Sequence, residues 1–280
     1  MSLTGITDYL RPQTLEEAYS SLGTGALAVA GGTDVIRHTH AGVTTLVDLG
    51  ALPLRYIREG QGFAVGANAT LTDMLEHPGL AAHLDGVISD MLRGVGSPLL
   101  RNAATIGGHL ARRRFSDIVP VLLALGAGVT VYEGTERTLP LDAFYAESPG
   151  RSRGIITEVQ IPAAGRDTAA AFLKFTRTAF DFALLNCAVL VRRDGAGRAA
   201  ECRVVVGETP ALGTAVPAAE EALRGAPLDA AAIAAAAEAA AGTVPFGSDH
   251  RASAEYRRAL CRAAVRRCLD EARRRLEERR

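Results

Sequence analysis

The 280-residue sequence contains no tryptophan, one lysine and only four cysteines. The cysteines are Cys187, Cys202, Cys261 and Cys268, and no two of them form a C-x-x-C pair. A zinc ribbon, or an iron–sulfur cluster held by this chain alone, is therefore not expected. Four cysteines are also too few for a disulfide scaffold, and we expect them to be reduced thiols.

Long apolar runs are missing as well. No stretch of 18 apolar residues occurs, so no membrane-spanning helix is predicted. Residues 1–13 lack the apolar segment of a secretory signal, and we expect a cytoplasmic protein. Lysine and arginine total 31, as do aspartate and glutamate, which argues against a general binder of nucleic acid or anionic membranes.

The single lysine, Lys174, stands beside 30 arginines. Together with abundant alanine, this suggests a G+C-rich genome in which exposed lysines are readily replaced by arginine. An ammonium is compact and turns its three donors freely, whereas a guanidinium is a wide, flat fork. Lys174 is therefore either a chance survivor or a residue whose site needs what arginine cannot provide.

The pattern of strands, helices and turns predicts three parts. We place a small α/β part over residues 1–55, a second α/β part over 56–165, and a sheet-plus-helix part over 166–280. In the first part we expect a short buried strand over residues 26–30, then a glycine turn and a brief helix over 35–40. In the second part Thr72 is expected to cap a helix.

The third part begins with strands that form an antiparallel hairpin. Helices are predicted over residues 217–223, 229–241 and 252–279. The last of these carries an apolar residue at every fourth position, which gives one apolar stripe on a charged helix. Because its arginines alternate with acidic residues, a solvated, charge-paired face is favoured over an RNA-binding arm.

Two glycines, Gly31 and Gly32, follow the first predicted buried strand. Such a pair frees backbone N–H groups to converge on an anion and lets the chain approach a pyrophosphate closely. Thr33 adds a hydroxyl donor, and the helix start behind it adds a favourable dipole. The loop is neither G-x-G-x-x-G nor a Walker loop, so a purely structural turn also fits it.

A second loop, Thr105-Ile106-Gly107-Gly108-His109, again places a hydroxyl before paired glycines. Two such loops suggest a ligand whose two phosphates are held from both sides, as in a dinucleotide. Asp117 lies beyond this loop and opens an apolar helix. Its carboxylate could accept a hydrogen bond from a ribose or ribityl hydroxyl, although on spacing alone an ordinary N-cap is favoured.

Several motifs occur in the order typical of a known family, and the chain resembles the FAD-binding medium subunit of the molybdenum hydroxylases, such as carbon monoxide, xanthine and nicotine dehydrogenases. The resemblance extends over nearly the full length. The motifs that carry it are Ala30-Gly31-Gly32-Thr33-Asp34, Ser97-Pro98 with Arg101-Asn102, Thr105-Ile106-Gly107-Gly108, Ser116-Asp117, Lys174-Phe175 with Arg177, Asp181-Phe182-Ala183, Ser248-Asp249-His250-Arg251 and Tyr256-Arg257-Arg258.

The resemblance implies an α+β chain with a PCMH-like FAD-binding fold of two α/β subdomains, followed by a C-terminal antiparallel sheet and helix domain. A dissociable FAD would lie between the first two subdomains. The pyrophosphate residues carried over are Ala28, Val29, Ala30, Gly31, Gly32, Thr33, Asp34 and Val35. The further cofactor contacts carried over are Thr105, Gly107, Gly108, His109, Asp117, a backbone contact at Ile156, and Lys174 as a cation beside the flavin.

Two departures from the family pattern stand out. His109 replaces the asparagine that usually ends the second loop. Residues 111–115 read Ala-Arg-Arg-Arg-Phe where the family has a small, polar segment. The three arginines could crowd the cofactor, bind a phosphate or face solvent.

The leading interpretation is therefore an electron-transfer flavoprotein subunit. A partner with the molybdenum cofactor, the large subunit, would oxidise the substrate. An iron–sulfur small subunit would deliver electrons to this FAD. The FAD would then pass them to NAD, oxygen or a quinone. One alternative is a stand-alone flavin enzyme in which His109 is an acid or base. Another is a scaffold that has lost FAD. No catalytic residue and no metal ligand is assigned, and no nucleic-acid partner or membrane span is expected.

Overall fold

The computed structural model describes residues 5–37, 41–147, 154–209 and 211–279. Close contacts group the chain into two compact units. The first unit comprises Met1–His77, Ser97–Arg113 and Ala127–Pro162, and the second comprises Pro78–Gly96, Arg114–Gly126 and Ala163–Arg280. The division into three parts near residues 55 and 165 remains a prediction.

The described residues form helices and three sheets. The helices are α1 (Leu15–Ser21), α2 (Leu71–Glu76), α3 (Pro78–Ala82), α4 (Val87–Arg93), α5 (Pro98–Ala103), α6 (Ile106–Ala111), α7 (Ile118–Ala124), α8 (Leu141–Ala146), α9 (Pro217–Leu223), α10 (Ala230–Thr243) and α11 (Ala254–Glu278). The strands are β1 (Asp8–Leu10), β2 (Ala26–Val29), β3 (Thr45–Asp48), β4 (Ile57–Gly60), β5 (Gly62–Gly66), β6 (Gly128–Tyr132), β7 (Glu136–Pro140), β8 (Ile155–Pro162), β9 (Thr168–Phe175), β10 (Leu185–Arg193), β11 (Ala199–Gly207) and β12 (Thr214–Ala215).

The first sheet belongs to the first unit and is parallel, in the order β1-β3-β2. Strand β2 confirms the predicted strand, but all four of its residues are partly exposed, so the prediction of a buried strand is wrong. A sheet of only three short strands leaves part of its surface exposed to solvent. After β2 the chain forms a 3-10 turn over Val35–Arg37, and residues 38–40 of the predicted helix lie outside the described residues.

The second sheet, also in the first unit, is antiparallel with the order β4-β5-β8-β6-β7. Helix α2 follows strand β5 in the chain and begins at a capping box. Thr70 Oγ1 accepts from the Asp73 N–H, and the Asp73 carboxylate accepts from the Thr70 N–H. The prediction that Thr72 is the cap is wrong, because Thr72 donates instead to Asn102 Oδ1 at 2.6 Å. A Thr-x-x-Asp spacing satisfies two helix-end donors at once.

The third sheet forms the centre of the second unit and is antiparallel, in the order β12-β11-β10-β9. Helix α11 packs against α10, β9 and β10, while α7 packs against β10 and β11. The α+β class with a C-terminal sheet and helices is as predicted. The predicted stripe on α11 is buried at Leu260, Ala264, Cys268, Ala272 and Leu276, but its first member, Tyr256, is 50% exposed.

Helix α11 carries ion pairs between neighbouring turns, at the exposed Arg274 and at Arg275, whose side chain is only 10% exposed. Arg274 pairs with Glu271, and Arg275 pairs with Glu271 and, from another helix of the same unit, with Asp90. These pairs confirm the interpretation of a charge-paired face. Across the described ranges, no helix combines the length and apolarity needed to cross a membrane.

Candidate functional site

The first glycine loop leaves β2 and turns at Gly32, which has a φ of +69°. Its end is fixed by two backbone bonds, from Ile36 N–H to the Gly32 carbonyl and from Arg37 N–H to the Asp34 carbonyl. Within the described ranges, the N–H groups of Gly31, Gly32 and Thr33 donate to no protein acceptor. Three consecutive backbone donors in a turn form the kind of concavity that binds anions.

A side chain at Gly31 would meet protein atoms rather than open space. A Cβ added there would overlap the carbonyl oxygen of Ala103, at the end of α5. A Cβ on Gly107 would lie 2.7 Å from the Ala67 Cβ. At these two glycines the absent Cβ thus makes room for other protein atoms rather than for a phosphate. Their small size lets two backbone segments touch, and this contact holds the loop and α6 in place.

The second loop differs from the first in its hydrogen bonds. The N–H of Ile106 donates to the Ala69 carbonyl at 3.0 Å, and that of Gly107 to the Ala67 carbonyl at 2.9 Å. The N–H of Gly108 donates to Thr105 Oγ1 at 3.2 Å, which caps α6. The expectation that this loop repeats the donor design of the first is thus wrong. Direct cofactor contacts from Thr105, Gly107 and Gly108 remain predictions.

His109 lies on α6 and is buried. Burial and, to a smaller extent, the positive charge of Arg112 lower the pKa of His109 to about 3, while Asp34 opposes the shift. The imidazole is therefore neutral at physiological pH. A base of this strength is poorly matched to proton transfer near neutrality, which removes the role that His109 had in the stand-alone enzyme interpretation.

The three arginines after α6 have different surroundings. Arg112 Nη1 lies 3.9 Å from Asp34 Oδ1, at the end of the first glycine loop. Arg113 has a left-handed φ of +49° and donates to the carbonyls of Glu147 at 2.7 Å and Phe144 at 2.8 Å. Arg113 therefore ties down the end of α8. Arg114 belongs to the second unit.

In the second unit, Lys174 and Asp117 form a largely buried ion pair. Lys174 Nζ donates to Asp117 Oδ2 at 2.7 Å and to the Gly94 carbonyl at 2.9 Å. Asn186 Nδ2 donates to the other carboxylate oxygen of Asp117 at 2.9 Å. The side chains of Lys174 and Asp117 are only 10% and 11% exposed. The interpretation of Asp117 as an ordinary N-cap is wrong, because Ser116 Oγ caps α7.

Glu208, which no sequence motif marks, holds the backbone next to Asp117. Glu208 has a φ of +61°, is 2% exposed, and accepts from the Ser116 N–H at 2.9 Å and from Arg251 Nη1 at 3.2 Å. Burial raises the pKa of Glu208 to about 7, although Ser116 and Arg251 both oppose the shift. Arg251 belongs to a motif that had been quoted without a role, whereas nothing in the sequence around Glu208 marked it.

Ile156 lies on β8, where the ladder to β6 shifts register. Thr130 pairs with Glu158, and the next residue, Val131, pairs with Ile156. Thr157 is thus the extra residue of a bulge, a feature that commonly redirects backbone groups beside functional sites. The backbone contact predicted at Ile156 remains a prediction. Among the described residues, no cluster of three or more His, Cys, Asp or Glu side chains could hold a metal ion.

Comparisons with known proteins match almost the whole chain. Residues 4–164 match a family model described as the FAD-binding domain in molybdopterin dehydrogenase, and residues 170–272 match the C-terminal domain of CO dehydrogenase flavoprotein. The nicotine 6-hydroxylase medium subunit of Paenarthrobacter nicotinovorans is 31% identical over 276 residues, covering 94% of this chain and 96% of the relative. The carbon monoxide dehydrogenase medium chain of Hydrogenophaga pseudoflava is 27% identical over 278 residues, covering 95% and 96%.

Solved structures give the same similarity. A chain of carbon monoxide dehydrogenase from Hydrogenophaga pseudoflava superposes with a TM-score of 0.90 at 28% identity, covering 96% of this chain and 98% of that one. A chain of quinoline 2-oxidoreductase from Pseudomonas putida 86 gives a TM-score of 0.87 at 24% identity, covering 97% and 98%. The second similarity concerns the fold alone.

Proposed function

Since the chain belongs to the FAD-binding medium subunits of the molybdenum hydroxylases, we propose that it passes electrons from the iron–sulfur clusters of a partner to an external acceptor. The predicted PCMH-like fold and the FAD cofactor are confirmed. The chain is thus an FAD-dependent oxidoreductase subunit of the molybdopterin dehydrogenase type.

One observation carries the assignment of the cofactor loop. The N–H groups of Gly31, Gly32 and Thr33 are consecutive donors in a turn and, in the described part of the chain, have no protein acceptor. The pyrophosphate of FAD is an anion that such donors fit. FAD, when bound, supplies the redox chemistry. The role of this loop is therefore to bind and orient the cofactor.

The second loop supports the first in this proposal. Gly31 packs on Ala103, and Thr105 begins α6 two residues later along the chain. The backbone of α6 is bonded to Ala67 and Ala69, so the loop rests on a rigid base. Rigid support matters because ordering a flexible loop on binding costs conformational entropy, which lowers the affinity for the ligand.

The proposed partners are a large subunit with the molybdenum cofactor and a small iron–sulfur subunit. This is supported by the relatives, which are named as medium chains or as subunits of a dehydrogenase complex. The stand-alone enzyme is less well supported, because these relatives are named as subunits and because burial lowers the pKa of His109, which makes it a weak base near neutrality.

Co-expression with the two partner genes tests the assembly. The three chains are expected to co-purify with molybdenum, iron and FAD. After reduction with dithionite, the iron–sulfur absorption is followed on mixing with oxygen, NAD or a quinone, in the holo-complex and in a complex stripped of FAD. Reoxidation should be slowed strongly by removal of FAD for at least one acceptor. Equal rates with and without FAD for every acceptor would exclude the electron-transfer role.

A further inference from the structure

We propose that Arg112 binds the pyrophosphate of FAD, together with the backbone donors of the first glycine loop. This inference rests on the proposed assignment of that loop. The resemblance to the family did not carry over Arg112, because residues 111–115 depart from the family pattern. The site would therefore include a cation beyond the residues that the resemblance carries over.

The position of Arg112 is the first observation. It ends α6, where its own N–H donates to the Gly108 carbonyl at 3.3 Å, so its Cα is fixed relative to the second loop. Its Nη1 lies 3.9 Å from Asp34 Oδ1, and Asp34 directly follows Thr33, the last of the three backbone donors. The guanidinium therefore lies beside the side chain of the residue that directly follows the three donors.

The charge balance is the second observation. The pyrophosphate linkage of FAD carries two negative charges, and Asp34 places a third at the same loop. The neutral His109 supplies no compensating charge, because its pKa is about 3. Arg112 does supply one, and its side chain is only 16% exposed, so water and salt screen it incompletely.

The chemistry of the side chain is the third observation. A guanidinium presents paired N–H donors in a plane, which matches phosphate oxygens better than a point charge does. The neighbouring Arg113 is committed elsewhere, to the carbonyls of Phe144 and Glu147. Of the three possibilities for the arginine run, phosphate binding is assigned to Arg112, whereas Arg113 has a structural role that the sequence did not predict.

Titration of the full-length apoprotein with FAD tests the proposal, with flavin fluorescence as the readout. R112Q and R112M should bind FAD about tenfold more weakly at low ionic strength, the size expected for one charge-assisted contact. The deficit should shrink at high ionic strength. R112K should recover part of the affinity. The matched control R58Q removes one exposed positive charge from β4 and should bind FAD as the wild type does.

Measuring R112Q in the D34N variant separates pyrophosphate binding by Arg112 from simple neutralisation of the Asp34 charge. If Arg112 only offsets the Asp34 charge, R112Q should have no effect once D34N is present. If Arg112 contacts the pyrophosphate, R112Q should weaken FAD binding in the D34N background as well. Wild-type affinity in both R112Q and R112M, or no effect in the D34N background, would overturn the proposal. A wild-type chain that takes up no FAD would instead refute the loop assignment.

Discussion

Lys174 and Asp117 form one structural element, with Nζ and Oδ2 joined at 2.7 Å although 57 residues separate them in the chain. Asp117 is also held by Asn186, and Lys174 also bonds the Gly94 carbonyl. The two residues were predicted as separate cofactor contacts. Their pairing means that a change in either one alters the charge and geometry of both.

Loss of the ammonium alone should destabilise the protein. K174M leaves the largely buried Asp117 without its cation, and breaking one partner of a buried pair costs about 3 kcal/mol. The double variant K174M/D117N removes the unpaired charge and should recover a large part of that loss. Urea unfolding of the four proteins in the double-mutant cycle measures both effects. Additive losses would show that the pair contributes no coupling energy.

The same pair should affect the potential of the flavin, given the prediction that both residues contact FAD. Paired with Asp117, Lys174 presents little net charge, whereas K174M leaves a net negative charge that makes electron uptake harder. The reduction potential should fall by on the order of 30 mV. K174M/D117N should return most of the way, and K174R should show a partial effect. Spectroscopic redox titrations at one pH measure this, and identical potentials would place the pair away from the flavin.

Substitution of Gly31 should destabilise the first unit as well as weaken FAD binding. A Cβ at Gly31 would overlap the Ala103 carbonyl, so G31A forces two backbone segments apart and should cost about 3 kcal/mol. G60A is the matched control, because a Cβ at Gly60 meets nothing within 4 Å. Unfolding midpoints of the apoproteins separate stability from cofactor affinity. A G31A protein as stable as G60A would show that the contact with Ala103 is easily relieved.

Two buried groups give opposite pH dependences of stability. Between about pH 4.5 and 7 the native Glu208 keeps a proton that the unfolded chain has released, so the free energy of unfolding falls as pH rises. Between about pH 3 and 6.5 the unfolded chain protonates His109 while the native chain does not, so the free energy of unfolding falls as pH drops. From about pH 4.5 to 6.5 the two slopes oppose each other.

Single variants should uncover each slope. E208Q should become more stable with rising pH across that window, and H109N less stable, each by up to about 1.4 kcal/mol per pH unit relative to the wild type. Gln still accepts from the Ser116 N–H, so E208Q keeps that backbone contact. Urea midpoints of the apoproteins at several pH values measure the slopes. Wild-type slopes in both variants would mean that neither group is perturbed by burial.

Some features that depend on a short stretch of the chain were predicted correctly from the sequence. The helix predicted over residues 217–223 has those bounds in the structure, because Pro217 marks its start. The first glycine loop was also found, since its donors come from consecutive residues. The difference between the two loops was not predictable, because the acceptors for Ile106 and Gly107 are carbonyls of Ala69 and Ala67, distant in sequence. Glu208 was missed for the same reason, since its partners come from two other segments.

The second unit is built from three separate segments of the chain, and this affects folding during synthesis. Helices α4 and α7 bury residues such as Ile88, Met91, Ile118 and Leu122 against elements that include β9 and β10. The ribosome finishes α4 about 75 residues before β9 begins, which is several seconds at roughly 5–20 residues per second. Nascent α4 and α7 therefore present apolar faces whose partners do not yet exist. A fragment ending near residue 165 would keep those faces uncovered permanently and is therefore expected to aggregate.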